Sequence, residues 1–530
     1  MRALALNELT TEQKIGQMLL ARRPVNREGF EAILDLIRDR CLGGLHLSES
    51  LPDLPVPRMV EKIHEVADYP LLLCENMEQG FTNARAIPFP DQMGIGASGS
   101  EDLAYEAGRI TAIEAKSRGF NVVFGPIVDL AMHPRACCVG PRCFAADAET
   151  VARMASAMIR GYQDNGMIVT AKHYPGFGES EIDSHLGMVY LTCDRELLLE
   201  RELRPYLEAM RTADLSGVMV GHIMVPKIDP KYPASLSPAL IGLLREAGYD
   251  GLIMTDSLAM VGLTNLFGLE QCHGLAMAAG NDMVMTSYRL DNRVAYEYML
   301  KAHRAGQVSD EQVDSAARHV LAAQARTLRP ASQPRVTDAD HASALRVSES
   351  APAAVLRGAA SPALATDKRH LFLVQVSNDF TNPANGKRYI DRDGQDTRDM
   401  EPAVRRLFPR SDVIPLSDYP SAVEIEHACS TSMKYDSVVM VAYAWTHSYT
   451  GSSDLTRRLI SLLDGLSHKL SAVVLIGNPY AARELPPTPR LIWAPDGGFC
   501  REAALKVLAG QLQPVGKIPV PLTLRDAPPR

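Results

Sequence analysis

Short apolar runs that end in polar residues alternate with longer amphipathic segments from about residue 10 to residue 325. Seven of these runs have the length and composition of strands: 43–48 (GGLHLS), 70–76 (PLLLCEN), 121–129 (NVVFGPIVD), 167–173 (MIVTAKH), 216–223 (SGVMVGHI), 251–257 (GLIMTDS) and 282–287 (DMVMTS). The segments between them repeat apolar residues at intervals of three and four, as in SEDLAYEAGRITAIEAKSRG. Because strand, helix, strand repetition requires parallel strands joined by right-handed crossovers, we predict an α/β fold with a closed or nearly closed TIM-type (β/α) barrel. The pattern does not identify an eighth strand.

The pattern changes after residue 329. Residues 330–366 are rich in Pro, Ala and Ser, and we interpret them as a linker with a helical part. Apolar runs then alternate again with helical stretches: RHLFLVQVSN, SDVIPLS, YDSVVMVAYAW, SAVVLIGNPY, RLIWAPD and KIPVPL. We therefore predict a barrel at 1–329, a linker at 330–366 and a smaller α/β/α sandwich domain at 367–530. Trp445, His447 and Tyr449 follow one of its strands and are predicted to be surface residues.

Composition narrows the class of partner. Hydrophobic residues make up 46% of the 530 residues, and the net charge of −8 is spread without a long block of either sign. Such a surface argues against nucleic acid and against anionic membranes, because both need clustered positive charge. A small neutral partner is favoured, and a homo-oligomer is compatible with the sequence.

Features that would place the chain in a membrane or an oxidising compartment are missing from the sequence. The first residues, MRALALNELTTEQKIGQMLL, lack the basic start and apolar run of a secretory signal, and no stretch of about 18 apolar residues occurs elsewhere. The nine cysteines form no CxxC pair, and we interpret the adjacent Cys137 and Cys138 as buried thiols. We therefore expect a soluble, cytoplasmic protein.

Polar residues gather at the predicted carboxyl ends of the barrel strands. In a barrel of this type those ends face one common pocket, which is where active sites are found. The strand-end residues are Asn76, Glu78, Asp129, Lys172, His173, His222 and Asp256. A single residue of this kind is usually a cap or a satisfied polar group, but the whole set predicts a ligand site.

The stretch AKHYPGFGESEIDSHLG, residues 171–187, contains the highest density of such residues. Pro175, Gly176 and Gly178 allow the backbone to fold back over the barrel mouth. Asp183 and His185 are two residues apart, so in an extended segment the carboxylate can hold the imidazole ring and fix its tautomer. The stretch predicts a positioned proton carrier, and the alternative is a solvated loop with an incidental histidine.

The stretch GLIMTDSLAM places Asp256 at the end of an apolar strand. A carboxylate at a buried strand end must be paired, bound to a metal or used chemically, because an unpaired buried charge is costly. The sequence has too few convergent carboxylates for a metal site and no HExxH spacing. We therefore predict a nucleophilic or stabilising carboxylate, with no metal and no cofactor.

These two stretches resemble glycoside hydrolase family 3, and within it the bacterial β-N-acetylglucosaminidase (NagZ-type) branch. That branch carries K-H-F-P-G-H-G followed by D-S-H, which match KHYPGFG and DSH here. The resemblance extends through IPFPDQMGIGAS, PASLSPALIGLLREAGYDGLIMTDSLAM and AGNDMVM, and it includes the α/β sandwich.

The resemblance implies a retaining exo-glycosidase that acts on an oligosaccharide or amino-sugar glycoside and releases terminal β-linked N-acetylglucosamine, or a related β-hexose. Asp256 would be the nucleophile, His185 the general acid/base and Asp183 its partner. Further residues would bind the substrate: Arg142, Lys172, His173, Asn76, Glu78, Asp129 and His222. Most retaining glycosidases use two carboxyl groups roughly 5–5.5 Å apart, so the His/Asp pair is a departure from the common arrangement.

Three positions differ from the family pattern. The segment D-x-E-G-G begins here with Asn76, which offers one acceptor and two donors in place of a charged acceptor. Phe177 replaces a histidine and Cys143 replaces a serine. The alternatives that stay open are a β-glucosidase, a glycoside phosphorylase of the same family, and a catalytically inactive sugar-binding protein.

Overall fold

The structure is a computed structural model that describes residues 1–81, 86–136, 139–350, 354–357, 362–375, 379–381, 388–390, 400–444 and 455–526. The predictions for Cys137 and Cys138, and for Trp445, His447 and Tyr449, lie outside these residues. The chain divides into two compact units. The first consists of Met1–Pro88 and Ser100–Ala344, and the second of Phe89–Gly99 and Leu345–Arg530.

Parallel strands form the centre of the first unit. In chain order they are Leu19–Arg22 (β1), Gly44–His46 (β2), Leu72–Glu75 (β3), Val122–Val123 (β4), Ile168–Val169 (β5), Ala171–Tyr174 (β6), Val189–Tyr190 (β7), Gly217–Val220 (β8), Ile223–Met224 (β9), Leu252–Thr255 (β10) and Val284–Met285 (β11). One sheet has the order β11-β1-β2-β3-β4-β5 and another the order β10-β8-β6, while β7 pairs with β9 separately. Only Thr170 separates β5 from β6, and a parallel bridge joins Met254 of β10 to Met283 beside β11. The two sheets therefore close into one barrel.

Helices alternate with these strands along the chain as far as residue 350, and one of them, Gln92–Ser98, belongs to the second unit. They are Thr11–Gln17 (α1), Arg27–Arg38 (α2), Val56–Val66 (α3), Gln92–Ser98 (α4), Glu101–Ser117 (α5), Ala148–Gln163 (α6), Arg195–Glu200 (α7), Arg204–Ala213 (α8), Pro238–Glu246 (α9), Val261–Thr264 (α10), Leu269–Ala278 (α11), Asn292–Arg304 (α12), Asp310–Arg326 (α13) and Asp338–Ser350 (α14). Among the described residues, no helix combines the length and apolar character of a membrane-crossing segment.

The seven predicted barrel strands are present, and β1 is the strand that the pattern did not identify. Its residues Leu19–Arg22 follow directly after α1, so their apolar positions continue the helical spacing of the preceding segment. Alternate residues of the strands fill the barrel interior, including Leu20, Cys74, Met219 and Met254. The next inward positions along several strands are polar and lie at the carboxyl ends, where the candidate site is built.

The second unit contains a six-stranded sheet. Its elements are Ala354–Arg357 (β12), His370–Gln375 (β13), Asp379–Thr381 (β14), Arg388–Ile390 (β15), Asp412–Leu416 (β16), Ser437–Ala444 (β17), Leu470–Gly477 (β18) and Arg490–Ala494 (β19), with helices Met400–Leu407 (α15), Ala422–Ser432 (α16), Arg457–Gly465 (α17) and Cys500–Leu508 (α18). The order is β12-β19-β18-β17-β13-β16, parallel except for β12. Residues on both faces of its central strands are buried, as an α/β/α sandwich requires.

Three details of this unit differ from the sequence interpretation. The segment interpreted as a linker with a helical part contains α14, as expected, but also the strand β12, which joins the sheet. The segment 89–99, placed in the barrel by the sequence, belongs to this unit, where Asp91 N donates to Asp496 O at 2.9 Å. The predicted strand KIPVPL is wrong, because residues 517–522 form no strand. Its two prolines lack the backbone donors that a sheet ladder needs.

Candidate active site

The carboxyl ends of the barrel strands supply a ring of polar side chains. The ring consists of Arg22 on β1, His46 on β2, Glu75, Asn76 and Glu78 at the end of β3, Asp129 after β4, Lys172 and His173 on β6, His222 after β8 and Asp256 after β10. The prediction from strand ends identified the residues from Asn76 to Asp256 and missed Arg22, His46 and Glu75. A polar residue within an apolar run, such as His46 in GGLHLS, is the signal that would have found them.

Glu78 holds two cations, Lys172 of this ring and Arg142, which lies in a short helical turn at Gly140–Arg142. Its Oε1 lies 2.7 Å from Arg142 Nη2 and 2.8 Å from Lys172 Nζ, and its Oε2 accepts from Arg142 Nε at 2.8 Å. Lys172 also donates to Asn76 Oδ1 at 2.9 Å. Burial alone would raise the pKa of Glu78, but the charges of Arg142 and Lys172 outweigh burial and hold the pKa well below its usual value. The cluster is therefore ionised at neutral pH, with two cations sharing one carboxylate.

We expect Glu78→Gln to lower the free energy of unfolding by about 2 kcal/mol, because it leaves two largely buried cations without their shared carboxylate. Urea denaturation followed by circular dichroism measures this change. The control is Glu246→Gln, which removes an ion pair with Arg195 whose side chains are 60% and 63% exposed. That change should cost less than about 0.5 kcal/mol. Equal losses in the two variants would show that the cluster contributes no more than a surface pair.

Asp129 orients His173 from behind. Its side chain is fully buried and accepts from His173 Nδ1 at 2.7 Å, from the His173 backbone N–H and from the Phe177 backbone N–H. Nδ1 therefore donates a proton to Asp129, and Nε2 is the ring nitrogen that this contact does not use. Phe177 packs edge-on against this ring with centroids 5.3 Å apart. Asp129 was predicted to bind substrate, but its described hydrogen bonds go to the protein, so we place it as a positioning residue.

The segment after β6 brings Asp183 and His185 into one hydrogen-bonded pair. His185 Nδ1 donates to Asp183 Oδ1 at 2.7 Å, and the His185 backbone N–H donates to the same oxygen at 2.8 Å. Asp183 is fully buried, whereas the His185 side chain is 20% exposed. The contact expected from their spacing is thus present, and it holds the His185 ring through Nδ1.

Two glycines shape the path of this segment. Gly176 and Gly178 have φ angles of +123° and +56°, which side-chain-bearing residues rarely adopt. A Cβ at Gly178 would lie 2.7 Å from Leu191 Cδ2. Farther along, Ser184 O accepts from Gly262 N at 3.2 Å. Gly262 belongs to α10 and is six residues after Asp256, so the Asp183 turn packs against the helix that follows Asp256.

Asp256 lies at the end of β10, supported from the backbone. Ser257 N donates to its Oδ1 at 2.6 Å. Burial raises the pKa of Asp256, but the imidazoles of His173 and His222, the Ser257 N–H and the imidazole of His185 outweigh it, so the pKa lies below its usual value. Ser184, between Asp183 and His185, accepts from Gly262 N, so the Asp183 turn lies against the segment that follows Asp256. The influence of His185 on the pKa of Asp256 agrees with this placement.

His222 was predicted to bind substrate, but both of its ring nitrogens are used by the protein. Nδ1 lies 2.7 Å from Ser235 Oγ, and Nε2 lies 2.9 Å from the Ser257 carbonyl. Burial lowers its pKa, so the ring is neutral at pH 7. We place His222 as a positioning residue that holds the backbone beside Asp256. The described residues contain no group of three or more His, Cys, Asp or Glu side chains arranged to hold a metal ion.

Comparison with known proteins identifies the family. The model of the glycosyl hydrolase family 3 N-terminal domain matches residues 10–323, which include the whole ring of strand-end residues. A β-N-acetylglucosaminidase/β-glucosidase of Cellulomonas fimi is 30% identical over 338 residues, covering 60% of this chain and 58% of that protein. A β-hexosaminidase of Pseudomonas aeruginosa is 34% identical over 212 residues, covering 39% of this chain and 61% of that protein. The matches thus span less than two thirds of these relatives.

Solved structures extend the likeness to both units. A glycoside hydrolase family 3 β-N-acetylglucosaminidase from Paenibacillus sp. str. FPU-7 has a TM-score of 0.84 at 26% identity and covers 98% of this chain and 100% of its own. A β-glucoside phosphorylase, BglX, has a TM-score of 0.81 at 21% identity, covers 97% of this chain and 94% of its own, and is similar in fold alone. Because the family model matches more than half of the sequence, and the barrel it describes is the one built here, the chain belongs to glycoside hydrolase family 3.

Proposed function

We propose that this protein is a retaining exo-acting glycoside hydrolase that releases terminal β-linked N-acetylglucosamine, or a related β-hexose, from cell-wall or chitin-type oligosaccharides. The observation that carries this proposal is one pocket that combines an ionised Asp256 with an imidazole, His185, held by a buried carboxylate. The similar proteins of Cellulomonas fimi and Paenibacillus, both named as β-N-acetylglucosaminidases, support the choice of N-acetylglucosamine.

In the first step, an Asp256 oxygen attacks the anomeric carbon and the bond to the leaving oxygen breaks. His185 donates a proton from Nε2 to that oxygen, so the leaving group departs as an alcohol. The sugar is then covalently bound to Asp256 as a glycosyl ester. The fixed contact between Asp183 and His185 Nδ1 holds the ring during this transfer and stabilises the imidazolium form.

In the second step, His185 accepts a proton from water as the water attacks the anomeric carbon. The bond to Asp256 breaks, and the carboxylate is restored. Two inversions give net retention of configuration. An imidazole suits both steps because it donates and accepts a proton near neutrality without the burial that a carboxylic acid needs.

Four further residues at the strand ends or beside them, Lys172, Arg142, His173 and Asn76, would bind the sugar hydroxyls. Lys172 and Arg142, fixed by Glu78, present charged donors, and His173 presents the Nε2 atom that Asp129 leaves available. Asn76 accepts from Lys172, so its amide group offers donors to the sugar where a carboxylate would offer acceptors. This set would orient the ring so that the anomeric carbon faces Asp256.

Phosphorolysis is the second candidate, since a histidine acid/base repels an incoming phosphate less than a carboxylate does. The likeness to the phosphorylase BglX supports the fold of this candidate and no more. The two candidates differ in the acceptor that attacks the glycosyl ester.

A panel of nitrophenyl β-glycosides, assayed with and without phosphate, tests these functions. For hydrolysis we expect nitrophenol release that is fastest on the N-acetylglucosaminide and unchanged by phosphate. Acceleration by phosphate with formation of a sugar 1-phosphate would favour the phosphorylase, and faster release from the glucoside would favour a β-glucosidase. Sugar binding without turnover of any glycoside would refute catalysis and favour an inactive sugar-binding protein.

A further inference from the structure

The turn that carries Asp183 and His185 exposes apolar side chains to solvent. Leu186 N and Gly187 N both donate to Asp183 O, at 2.9 and 3.0 Å, so the chain turns tightly at these residues. The Asp183 carboxylate is buried on the inner side of the turn, whereas the Leu186 side chain is 48% exposed. Ile182 is 45% exposed, and its Cγ2 atom lies 3.4 Å from the position that a Cβ on Gly187 would take. Ile182 and Leu186 thus lie in the open, within three residues of His185.

A third exposed apolar side chain lies on the helix that packs against this turn. Gly262 of α10 donates to Ser184 O at 3.2 Å, and a Cβ at Gly262 would lie 2.4 Å from Gly187 O, so the two backbones touch. Leu266 is four residues after Gly262 and 57% exposed, and its N–H donates to Leu263 O at 3.0 Å, which continues the helical path. Because residues four apart lie on one side of a helix, Leu266 lies on the side of α10 that meets the turn. The term apolar rim is used below for three residues: Ile182, Leu186 and Leu266.

The proposed reaction brings the leaving group to the apolar rim. His185 gives its proton to the leaving oxygen, so the two atoms must lie within about 3.2 Å of each other during the transfer. In a retaining mechanism Asp256 attacks the face of the anomeric carbon opposite to the leaving group. The sugar therefore lies between Asp256 and His185, and the leaving group lies on the His185 side. Consecutive Cα atoms are about 3.8 Å apart, so Leu186 is within reach of the atoms that are attached to the leaving oxygen.

The rim offers a leaving group apolar contact and no charge. The two carboxylates on the same segment are paired with cations of other segments: Glu179 with Arg201 at 3.2 Å, and Glu181 with Arg135 at 2.7 Å. The rim side chains themselves contain no hydrogen-bond donor or acceptor. A hydroxyl group placed against them would lose water without gaining a partner, whereas alkyl or aryl surface gains free energy when it leaves water.

We infer that the apolar rim binds the leaving group of the substrate, and that the preferred leaving group presents alkyl or aryl surface to it. The inference rests on the proposed function and specifies its substrate class further: the sugar released is the same, and the leaving group is chosen for apolar character. The residues that select it are on the acid/base turn and on α10, separate from the strand-end residues that would bind the sugar hydroxyls.

A series of alkyl β-N-acetylglucosaminides tests this inference. The methyl, propyl and hexyl glycosides release alcohols of nearly equal acidity, so their rates differ through contact with the protein and not through leaving-group chemistry. A methylene that is fully removed from water strengthens binding by about fourfold, and a rim covers it on one side only. We therefore expect kcat/KM to rise at least tenfold from the methyl to the hexyl glycoside, mainly through KM, as measured by chromatography of the released sugar. Equal kcat/KM along the series would overturn the inference.

Polar replacements of exposed leucines show which residues select the leaving group. Leu186→Asn and Leu266→Asn should each lower the hexyl-to-methyl ratio of kcat/KM at least threefold. Leu197→Asn is the matched control, because it changes another exposed leucine on α7, outside the turn and α10, and should leave this ratio and the activity as in the wild type. A rate lowered equally on all the glycosides, with the ratio preserved, would assign the rim a structural role only and overturn the inference.

Binding without turnover separates this inference from the proposed function. Methyl and hexyl 1-thio-β-N-acetylglucosaminides keep the same groups and resist hydrolysis, so calorimetry measures their affinities directly. Tighter binding of the hexyl thioglycoside that is reduced in Leu186→Asn upholds the rim even if no glycoside is hydrolysed, in which case only the proposed activity fails. Hydrolysis of the methyl glycoside with equal binding of both thioglycosides overturns the rim and leaves the glycosidase proposal in place. Absence of both binding and hydrolysis overturns both.

Discussion

Replacing Asp256 by alanine is expected to lower kcat/KM on a nitrophenyl β-N-acetylglucosaminide by on the order of 10⁴-fold or more. The reason is that the variant loses the oxygen that would form the glycosyl ester, and with it the covalent route. The pocket keeps this carboxylate ionised against the cost of burial, since its pKa lies below the usual 3.8. The rate should therefore show no loss from Asp256 protonation until the pH falls to about 4. Chromogenic assays across pH measure both effects.

The control for Asp256 comes from the other end of the same strand. Asp250 precedes β10, and its side chain is 97% exposed, so Asp250→Ala should leave activity unchanged. Azide added to Asp256→Ala should restore product formation and give the α-glycosyl azide, because a small anion in place of the carboxylate inverts the anomeric carbon once. Circular dichroism should match that of the wild type. Activity within tenfold of the wild type in Asp256→Ala would refute the nucleophile assignment.

The barrel was readable from the sequence because buried parallel strands are short apolar runs with polar ends. The strand β1 was not predicted, because this four-residue strand directly follows a helix and its apolar residues continue the spacing of the helical ones. The extent of the second unit was harder to predict from the sequence, for another reason. Segment 89–99 belongs with the second unit through backbone hydrogen bonds such as that from Asp91 to Asp496, a pairing across some 400 residues that no local pattern encodes.

Strand-end position predicted most members of the polar ring, but it could not distinguish side chains that face the barrel mouth from side chains that bond to the protein. Asp129 and His222 occupy strand ends like Lys172, yet their hydrogen bonds point to His173, Ser235 and Ser257. The direction in which each of these side chains points depends on how the backbone bends after its strand, and the sequence pattern does not show those bends. The contact between Asp183 and His185 was predictable because both residues lie within one short turn.

Replacing His185 by alanine is expected to slow turnover in a way that depends on the leaving group. With an alcohol or a sugar as leaving group, kcat/KM should fall by about 10²–10⁴-fold, because the departing oxygen needs the proton. With dinitrophenol, which leaves without a proton, formation of the glycosyl ester should stay nearly as fast as in the wild type. The second step would still lack its base, so the ester accumulates. Stopped-flow measurement should then show a burst of dinitrophenol followed by a slow steady rate.

Added azide distinguishes His185 from the nucleophile, because it attacks the accumulated ester without needing a base and should give the β-glycosyl azide, the opposite anomer from that of Asp256→Ala. The Asp183 variants test the residue that holds His185. Asp183→Asn keeps an oxygen acceptor opposite His185 Nδ1 but removes the negative charge of the carboxylate, so it should reduce kcat less than His185→Ala does. Asp183→Ala, which also frees the backbone N–H of His185, should approach the loss in His185→Ala. Equal sensitivity to the leaving group in His185→Ala and wild type would place the acid/base elsewhere. The product anomer and the leaving-group dependence together assign each group to one side of the glycosidic bond, which a loss of activity alone cannot do.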